Sequence, residues 1–291
     1  MGLHIDNFSP RQFKKLAPLQ LSDKITTTES QQYIYLEKDT NKRIHKKLIK
    51  KYYRDTIENM RAKFDIISEL IENQQYLNMP ELVLPEGIVT IDGEPKGIKL
   101  PLIEDNVNMA LLLSNPNVNL KRKLKYLKEI LGIINKIEDI YELQGEFFLG
   151  DIQDSNFILD ISEQIIKVID LDSSYFNGLT PFPSKYLAGN KMVQKFEKKY
   201  PVDTKTMLNI PSRETTYLQF AYMLLNALTN EPCHRLSEEK FYDVLSTLSS
   251  RGMDKVIMEY FESLFSRMET VQIKPEDLDR IDYGRSYKIS R

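Results

Sequence analysis

Leu149-Gly150-Asp151-Ile152-Gln153-Asp154-Ser155-Asn156-Phe157-Ile158-Leu159, followed shortly by Ile165-Ile166-Lys167-Val168-Ile169-Asp170-Leu171-Asp172, decides the reading of this chain. It reads as a loop, a short strand, the mostly polar turn Asp160-Ile161-Ser162-Glu163-Gln164, and a second apolar strand that ends on an acid. Asp151 and Asn156 stand five apart, and Asp170 lies fourteen residues beyond Asn156. Acids and an amide at the ends of apolar segments such as Phe147-Phe148-Leu149 are hard to explain as solvated surface.

Upstream of this hairpin the pattern is strand, strand, helix, strand, strand. Residues 33–37 and 43–50 read as strands joined by the turn Asp39-Thr40-Asn41-Lys42. A helix over residues 54–73 carries Ile57, Met60, Phe64, Ile67 and Ile71 at spacings of three and four. Residues 88–91 and 97–100 flank Asp92-Gly93, a hairpin signal. After Pro101 the chain turns helical: a short helix over 106–113, and a long one over 120–143 with Leu124, Leu127, Leu131, Ile134 and Tyr141 on one face. Beyond the hairpin, residues 177–211 are dotted with Pro and Gly, and helices are predicted over 214–228, 237–249 and 254–268. Residues 1–30 give only weak structure signals.

The 291 residues suit one large domain or one bilobed unit with two small cores. Lys and Arg number 40 against 42 Asp and Glu, a net charge of −2, so no global field directs the chain to nucleic acid or an anionic membrane. The single Cys233 excludes an internal disulfide and suits a reducing compartment. No apolar run approaches membrane-spanning length, and the first residues are too polar for a secretory signal. Asp6 stands where a myristoylation signal wants Ser or Thr, and the three His with one Cys are too scattered for zinc. The expectation is a soluble cytoplasmic protein with no nucleic-acid or membrane partner and an oligomeric state left open.

On these motifs the chain resembles a divergent bacterial member of the protein-kinase-like superfamily, which also includes aminoglycoside-type phosphotransferases. Over roughly residues 30–270 the resemblance implies an α+β, bilobal fold. A small β-rich N-lobe with one helix (31–104) would follow an N-terminal extension (1–30), and a mainly helical C-lobe (105–291) would complete it. It implies that Asp151 is the catalytic base and that Asn156 and Asp170 hold Mg²⁺ or Mn²⁺ against ATP. Adenine would sit against Leu100, Pro101, Leu102 and Ile103, where the lobes join. Leu149-Gly150-Asp151 resembles the His-Gly-Asp of small-molecule phosphotransferases more than the His-Arg-Asp of eukaryotic protein kinases. Gly150 takes the place of the Arg that pairs with a phosphorylated activation loop.

The family's ATP-anchoring lysine belongs on the third strand. Lys46, Lys47 and Lys50 compete for it, and Lys47-Leu48-Ile49-Lys50 favours Lys47. Where the family places a Glu on the following helix, the register gives Lys63, ahead of Ile66, Ile67 and Leu70. No glycine occurs between Gly2 and Gly87, and Thr26-Thr27-Thr28-Glu29-Ser30 occupies the place of the Gly-rich loop. Thr216 stands where a buried Asp usually anchors the catalytic loop. Two functions follow: an ATP- and Mg²⁺-dependent phosphotransferase acting on a protein or a small molecule, or a pseudokinase that binds nucleotide or a partner without chemistry.

Overall fold

The computed structural model describes residues 4–18, 32–37, 47–52, 57–140, 143, 147–176, 212–267 and 272–289. The protein is of mixed α+β class. One six-stranded sheet contains β1 (Ile5–Phe8), β2 (Ala17–Pro18), β3 (Gln32–Glu37), β4 (Lys47–Tyr52), β5 (Gly87–Ile91) and β6 (Glu94–Pro101), in the order β1-β5-β6-β4-β3-β2. All pairings are antiparallel except β1 with β5. The turn between β5 and β6 is Asp92-Gly93, with φ of 52° and 81°. Two consecutive positive φ values give the tight turn whose twist matches that of the strands.

The N-terminal stretch, weak in sequence signals, supplies both edges of this sheet. Strands of four and two residues are too short to show an alternation. β1 lies close because Gly87 has no side chain: a Cβ there would stand 2.7 Å from the His4 carbonyl oxygen. Lys99 Nζ on β6 reaches back to Asp6 Oδ2 on β1 at 2.7 Å. Between β1 and β2, Ser9 caps the one-turn α1 (Pro10–Phe13) through a reciprocal bond with Gln12.

Helix α2 (Ile57–Glu72) has two apolar stripes. Phe64, Ile67 and Ile71 pack on Ile88, Ile98 and Leu100 of the sheet. Ile66 and Leu70 instead join the large core, together with Leu171 and Phe176. The helix is therefore the wedge between the sheet and the turn that follows Asp170.

Past β6 the strands are short: β7 (Asn106–Asn108), β8 (Phe147–Phe148), β9 (Phe157–Asp160), β10 (Ile165–Val168) and β11 (Tyr175–Phe176). β10, β9 and β7 form a three-stranded sheet, and β11 pairs with β8. Among the described residues the helices here are α3 (Met109–Ser114), α4 (Leu120–Glu138), α5 (Arg213–Thr229), α6 (Glu238–Ser250) and α7 (Lys255–Glu262), the last continued by a π-helical turn, Ser263–Arg267. α5 is the central element: Phe220, Ala221, Tyr222, Leu224 and Leu225 are all 1% exposed or less, spread around the whole helix. A helix apolar on every side belongs inside a core. Ring contacts of Tyr222 with Phe241 and Phe265 attach α6 and the π-turn to it.

Three expectations are corrected. Residues 106–108 are strand, because they pair with β9 and Asn108 then caps α3, its Oδ1 accepting from Ala110 N–H at 2.8 Å. The long helix stops at Glu138, where Ile140 N–H bonds Ile137 and tightens the last turn. The last helix ends at Glu262 rather than running on as α-helix. The turn expected at 39–42, Tyr141 and the stretch 177–211 lie outside the described residues.

Candidate functional site

Strand β8 leads into the Asp151 turn, and its rings fix the approach. Phe147 lies 5.5 Å from Phe176, and Phe148 lies 5.8 Å from Tyr175, centroid to centroid. The chain then passes Gly150 and Asp151 into a 3-10 turn, Asp154–Asn156. Asn156, 6% exposed, folds back over this turn: its Nδ2 donates to the Asp151 carbonyl oxygen at 2.8 Å and to Asp151 Oδ2 at 3.1 Å. Gln153 Nε2 donates to the same Oδ2 at 2.5 Å. The five-residue spacing thus closes a ring in which two amides grip one carboxylate.

Asp170 is brought to this ring by backbone bonding. Ile169 N–H donates to the Asn156 carbonyl at 2.9 Å, which carries the end of β10 alongside the Asp151 turn. On its other side, Val83 N–H donates to Val168 O at 3.0 Å and Val168 N–H to Glu81 O at 2.7 Å. Asp170 itself has φ 68°, ψ 41°. This left-handed conformation is uncommon outside glycine, though Asp tolerates it better than most residues. It swings the chain from β10 into the turn Leu171–Ser173, against which α2 packs.

The turn is also held from outside. Asn108 Nδ2 donates to the Ser155 carbonyl at 2.9 Å. Gln219, 0% exposed on α5, accepts from Ile152 N–H at 3.0 Å through Oε1 and donates to the Gly150 carbonyl at 3.1 Å through Nε2. Sequence reasoning missed Gln219 and looked one turn earlier, at Thr216. Thr216 is 3% exposed and, among the described residues, its Oγ1 makes no hydrogen bond. The signal that would have found Gln219 is its place as a lone amide inside the apolar run from Tyr217 to Leu225.

The start of α5 is fastened to α4 by a polar cluster. Tyr217 Oη lies 2.7 Å from Asn135 Oδ1 and 3.1 Å from Glu138 Oε2, and Arg213 Nε donates to Glu138 Oε2 at 3.1 Å. Burial pushes the Glu138 carboxyl up from the ordinary Glu range, while Arg213 and Tyr217 hold it back. Tyr260 Oη donates to the Tyr217 carbonyl at 2.8 Å and secures the same end of α5.

Among the other expected site residues, Leu100 and Pro101 close β6, and Leu102 and Ile103 form the link to β7. The Ile103 carbonyl accepts from Asn106 Nδ2 at 2.7 Å. Lys47 is paired with Pro101 across the β4–β6 ladder, and Lys50 with Ile98. Lys63 is 7% exposed on α2, one turn before Ile66 on the same stripe. The structure therefore brings Asp151, Asn156 and Asp170 together, and sets Lys47 and residues 100–103 on the sheet and its exit.

Among the described residues no three His, Cys, Asp or Glu side chains cluster as a metal site. The donor set at the turn is of another kind, one carboxylate and one amide. Two bonds from Asn156 Nδ2 leave Oδ1 as the acceptor end of that side chain, and Asp170 supplies carboxylate oxygens. Hard oxygen ligands with room for water are what Mg²⁺ takes. Among the described residues no helix is long and apolar enough to cross a membrane. No protein-family model matches the chain, and no curated protein matches it.

Proposed function

We propose that the protein is an ATP- and Mg²⁺-dependent phosphotransferase with a bilobal, protein-kinase-like fold. The observation that carries this reading is the closed ring of Asp151 and Asn156, tied through Ile169 to Asp170. A base and two metal ligands are the groups phosphoryl transfer needs. The sheet supports it independently. Strands β2, β3, β4, β6 and β5 run antiparallel in that spatial order, with α2 inserted between β4 and β5. That is the arrangement expected of a kinase-like N-lobe (31–104), with residues 105–291 as the C-lobe and 1–30 as an extension that adds sheet edges.

In this mechanism ATP lies between the sheet and the Asp151 turn, with adenine against Leu100 and backbone groups of Pro101, Leu102 and Ile103. Pro101 has no N–H, so Ile103 is the backbone donor. Asp151 accepts the proton of the acceptor hydroxyl. The freed oxygen pair attacks the γ-phosphorus, and the bond from that phosphorus to the bridging oxygen breaks with its electrons leaving on ADP. Asn156 and Asp170 would hold Mg²⁺, which offsets the charge of the phosphates. Asn156 and Gln153 aim the Asp151 carboxylate through two amide donors on one of its oxygens.

Two considerations bear on the strand lysine. The sequence pattern names Lys47. The ladder register favours Lys50: it pairs with Ile98, whose side of the sheet α2 covers, and α2 in turn packs on the Leu171 turn. The acceptor is a protein or a small molecule, and Gly150 in the Leu-Gly-Asp motif favours the latter.

The competing reading is a nucleotide-binding pseudokinase. Buried Lys63 favours it, standing where an acid would pair with the strand lysine. Incubation with γ-labelled ATP and Mg²⁺ or Mn²⁺, alone and with a cell extract, separates the two. Label transfer that Asp151→Ala removes supports the phosphotransferase. Nucleotide-dependent thermal stabilisation with no transfer under any condition would overturn it in favour of the pseudokinase.

A further inference from the structure

Gln219 makes contacts that packing alone does not require. The two peptide groups it holds are those on either side of Asp151: it donates to the Gly150 carbonyl and accepts from the Ile152 N–H. Its Nε2 also donates to the Thr215 carbonyl at 3.1 Å, which locks the amide in one orientation on its own helix. With a donor engaged on Gly150 and an acceptor engaged on Ile152, a flipped amide would oppose like groups at both ends. α5 is buried around its whole circumference, so this clamp stands on one of the least movable elements of the protein.

We propose that Gln219 is the positioning residue of the Asp151 turn, a neutral donor–acceptor clamp that fixes the backbone on both sides of the base. This rests on the reading of Asp151 as the base and adds a residue that reading does not require. A carboxylate at the same place has no donor for the Gly150 carbonyl; two acceptors would face each other there, and their repulsion would displace the side chain from both peptide groups, Ile152 N–H included. A protonated carboxyl group, by contrast, carries one donor and one acceptor and reproduces the amide's pattern. Gln219→Glu therefore separates clamping from packing, because the same side chain clamps in one protonation state and not in the other.

The sign of the effect follows from burial. A Glu at a fully buried site is raised well above its unfolded value of about 4.3. Below that value the variant carries the acid in both folded and unfolded states and matches wild type. As pH rises, the unfolded chain ionises first, and the variant falls progressively behind until the buried acid ionises too.

The test compares wild type, Gln219→Glu and Gln219→Met by hydrogen exchange of the peptide containing Ile152. Peptides from α6 and α7 serve as controls for global stability. At pH near 7.5, Gln219→Met and Gln219→Glu should both lose at least about tenfold of the Ile152 protection. As pH is lowered toward about 5, protection should return in Gln219→Glu and stay lost in Gln219→Met. Retained protection in Gln219→Met overturns the proposal, as does a loss in Gln219→Glu that does not depend on pH. Should Gln219→Glu fail to fold at neutral pH, its recovery on acidification is read against Gln219→Met alone.

ATP turnover is measured on the same proteins. Loss of kcat with little change in KM for ATP, recovering at low pH relative to wild type only in Gln219→Glu, is the expected result. A KM effect alone would show that the clamp does not act on the base. A wild type that transfers no phosphate would defeat the phosphotransferase reading, and the exchange data would still decide the clamp.

Discussion

Asn156 and Asp151 are bound to each other twice, once through the Asp151 backbone and once through its carboxylate, at 2.8 and 3.1 Å from a single amide nitrogen. The consequence is directional. Nδ2 is engaged by Asp151, which leaves Oδ1 as the acceptor end of the side chain. In the proposed mechanism one side chain would thereby serve two neighbours, fixing the base with its donor end and offering its acceptor end to a cation. A substitution at Asn156 should damage both roles, whereas substitutions at Asp151 and Asp170 should separate them.

Asp170→Ala tests the metal role. Stabilisation by ATP with Mg²⁺ in a thermal shift assay should disappear, while the melting temperature without nucleotide changes little. Ala at this position keeps the positive φ and tolerates it less well than Asp, so the protein without nucleotide should lose about 1 kcal/mol. An unchanged nucleotide shift in this variant would remove Asp170 from the site.

Asp151→Asn tests the base. The amide keeps the shape of the carboxylate and can set its oxygen where Gln153 and Asn156 donate, but it cannot take a proton and carries no charge. Turnover should fall at least about a hundredfold, the usual scale for loss of a general base. Nucleotide-dependent stabilisation should persist. Equal turnover in the variant would place the base elsewhere.

The pattern of elements up to β6 was legible because long periodic segments carry their own evidence: α2 at spacings of three and four, and β5 with β6 around Asp92-Gly93. What stayed hidden depends on partners distant in sequence. β1 is strand only because it lies beside β5, more than eighty residues away. Residues 106–108 are strand only because β9 accepts them. At the site, the Asp-to-Asn spacing pointed to a turn that the structure shows closed. Gln219 could not be found by spacing, because its partners sit some seventy residues earlier and helix periodicity assigns its position to the core.

The Asp6–Lys99 pair should carry much of the attachment of β1. Lys99 is 8% exposed at its side chain and Asp6 23%, so the pair is well removed from water. Asp6→Asn keeps a hydrogen-bonding group but removes the opposite charge, and should cost about 1–3 kcal/mol in urea unfolding. Lys99→Met alongside Asp6→Asn should recover part of that loss, because no buried charge is then left behind. A double variant less stable than the single one would show that Lys99 contributes independently of Asp6.

Cys233 should be inert in the folded protein. It is 1% exposed, and burial pushes its thiol up to about 11, against a weaker opposing bond from Thr229. Reactivity follows the thiolate, so at pH 8 labelling by a disulfide reagent should be more than about a hundredfold slower than for a free cysteine. Unfolding in denaturant should restore the ordinary rate. Fast labelling of the native protein would mean that the end of α5 opens readily.

Lys47→Met and Lys50→Met decide how the sheet meets the nucleotide. Alternate residues of a strand face opposite sides, so the two lysines, three apart, cannot both face ATP from a regular β4. The register pairs Lys50 with Ile98 and Leu48 with Leu100, and Ile98 and Leu100 belong to the side that α2 covers. Through Ile66 and Leu70, α2 continues onto Leu171, next to Asp170. The Lys50 position thus shares its side of the sheet with the turn that would hold the phosphates, and Lys47 is out of phase with it. The Lys-Leu-Ile-Lys pattern argues for Lys47, but it rests on resemblance alone and does not fix the register. The register argument carries more weight, so Lys50→Met should weaken ATP binding or turnover at least about tenfold, the scale for one charge-assisted contact. Lys47→Met should stay within about twofold, since its position does not share the phase of Lys50 along the strand. A strong effect of Lys47→Met with a mild one of Lys50→Met would put ATP on the other side of the sheet from α2. The placement of the phosphates beside Asp170 would then fail with it.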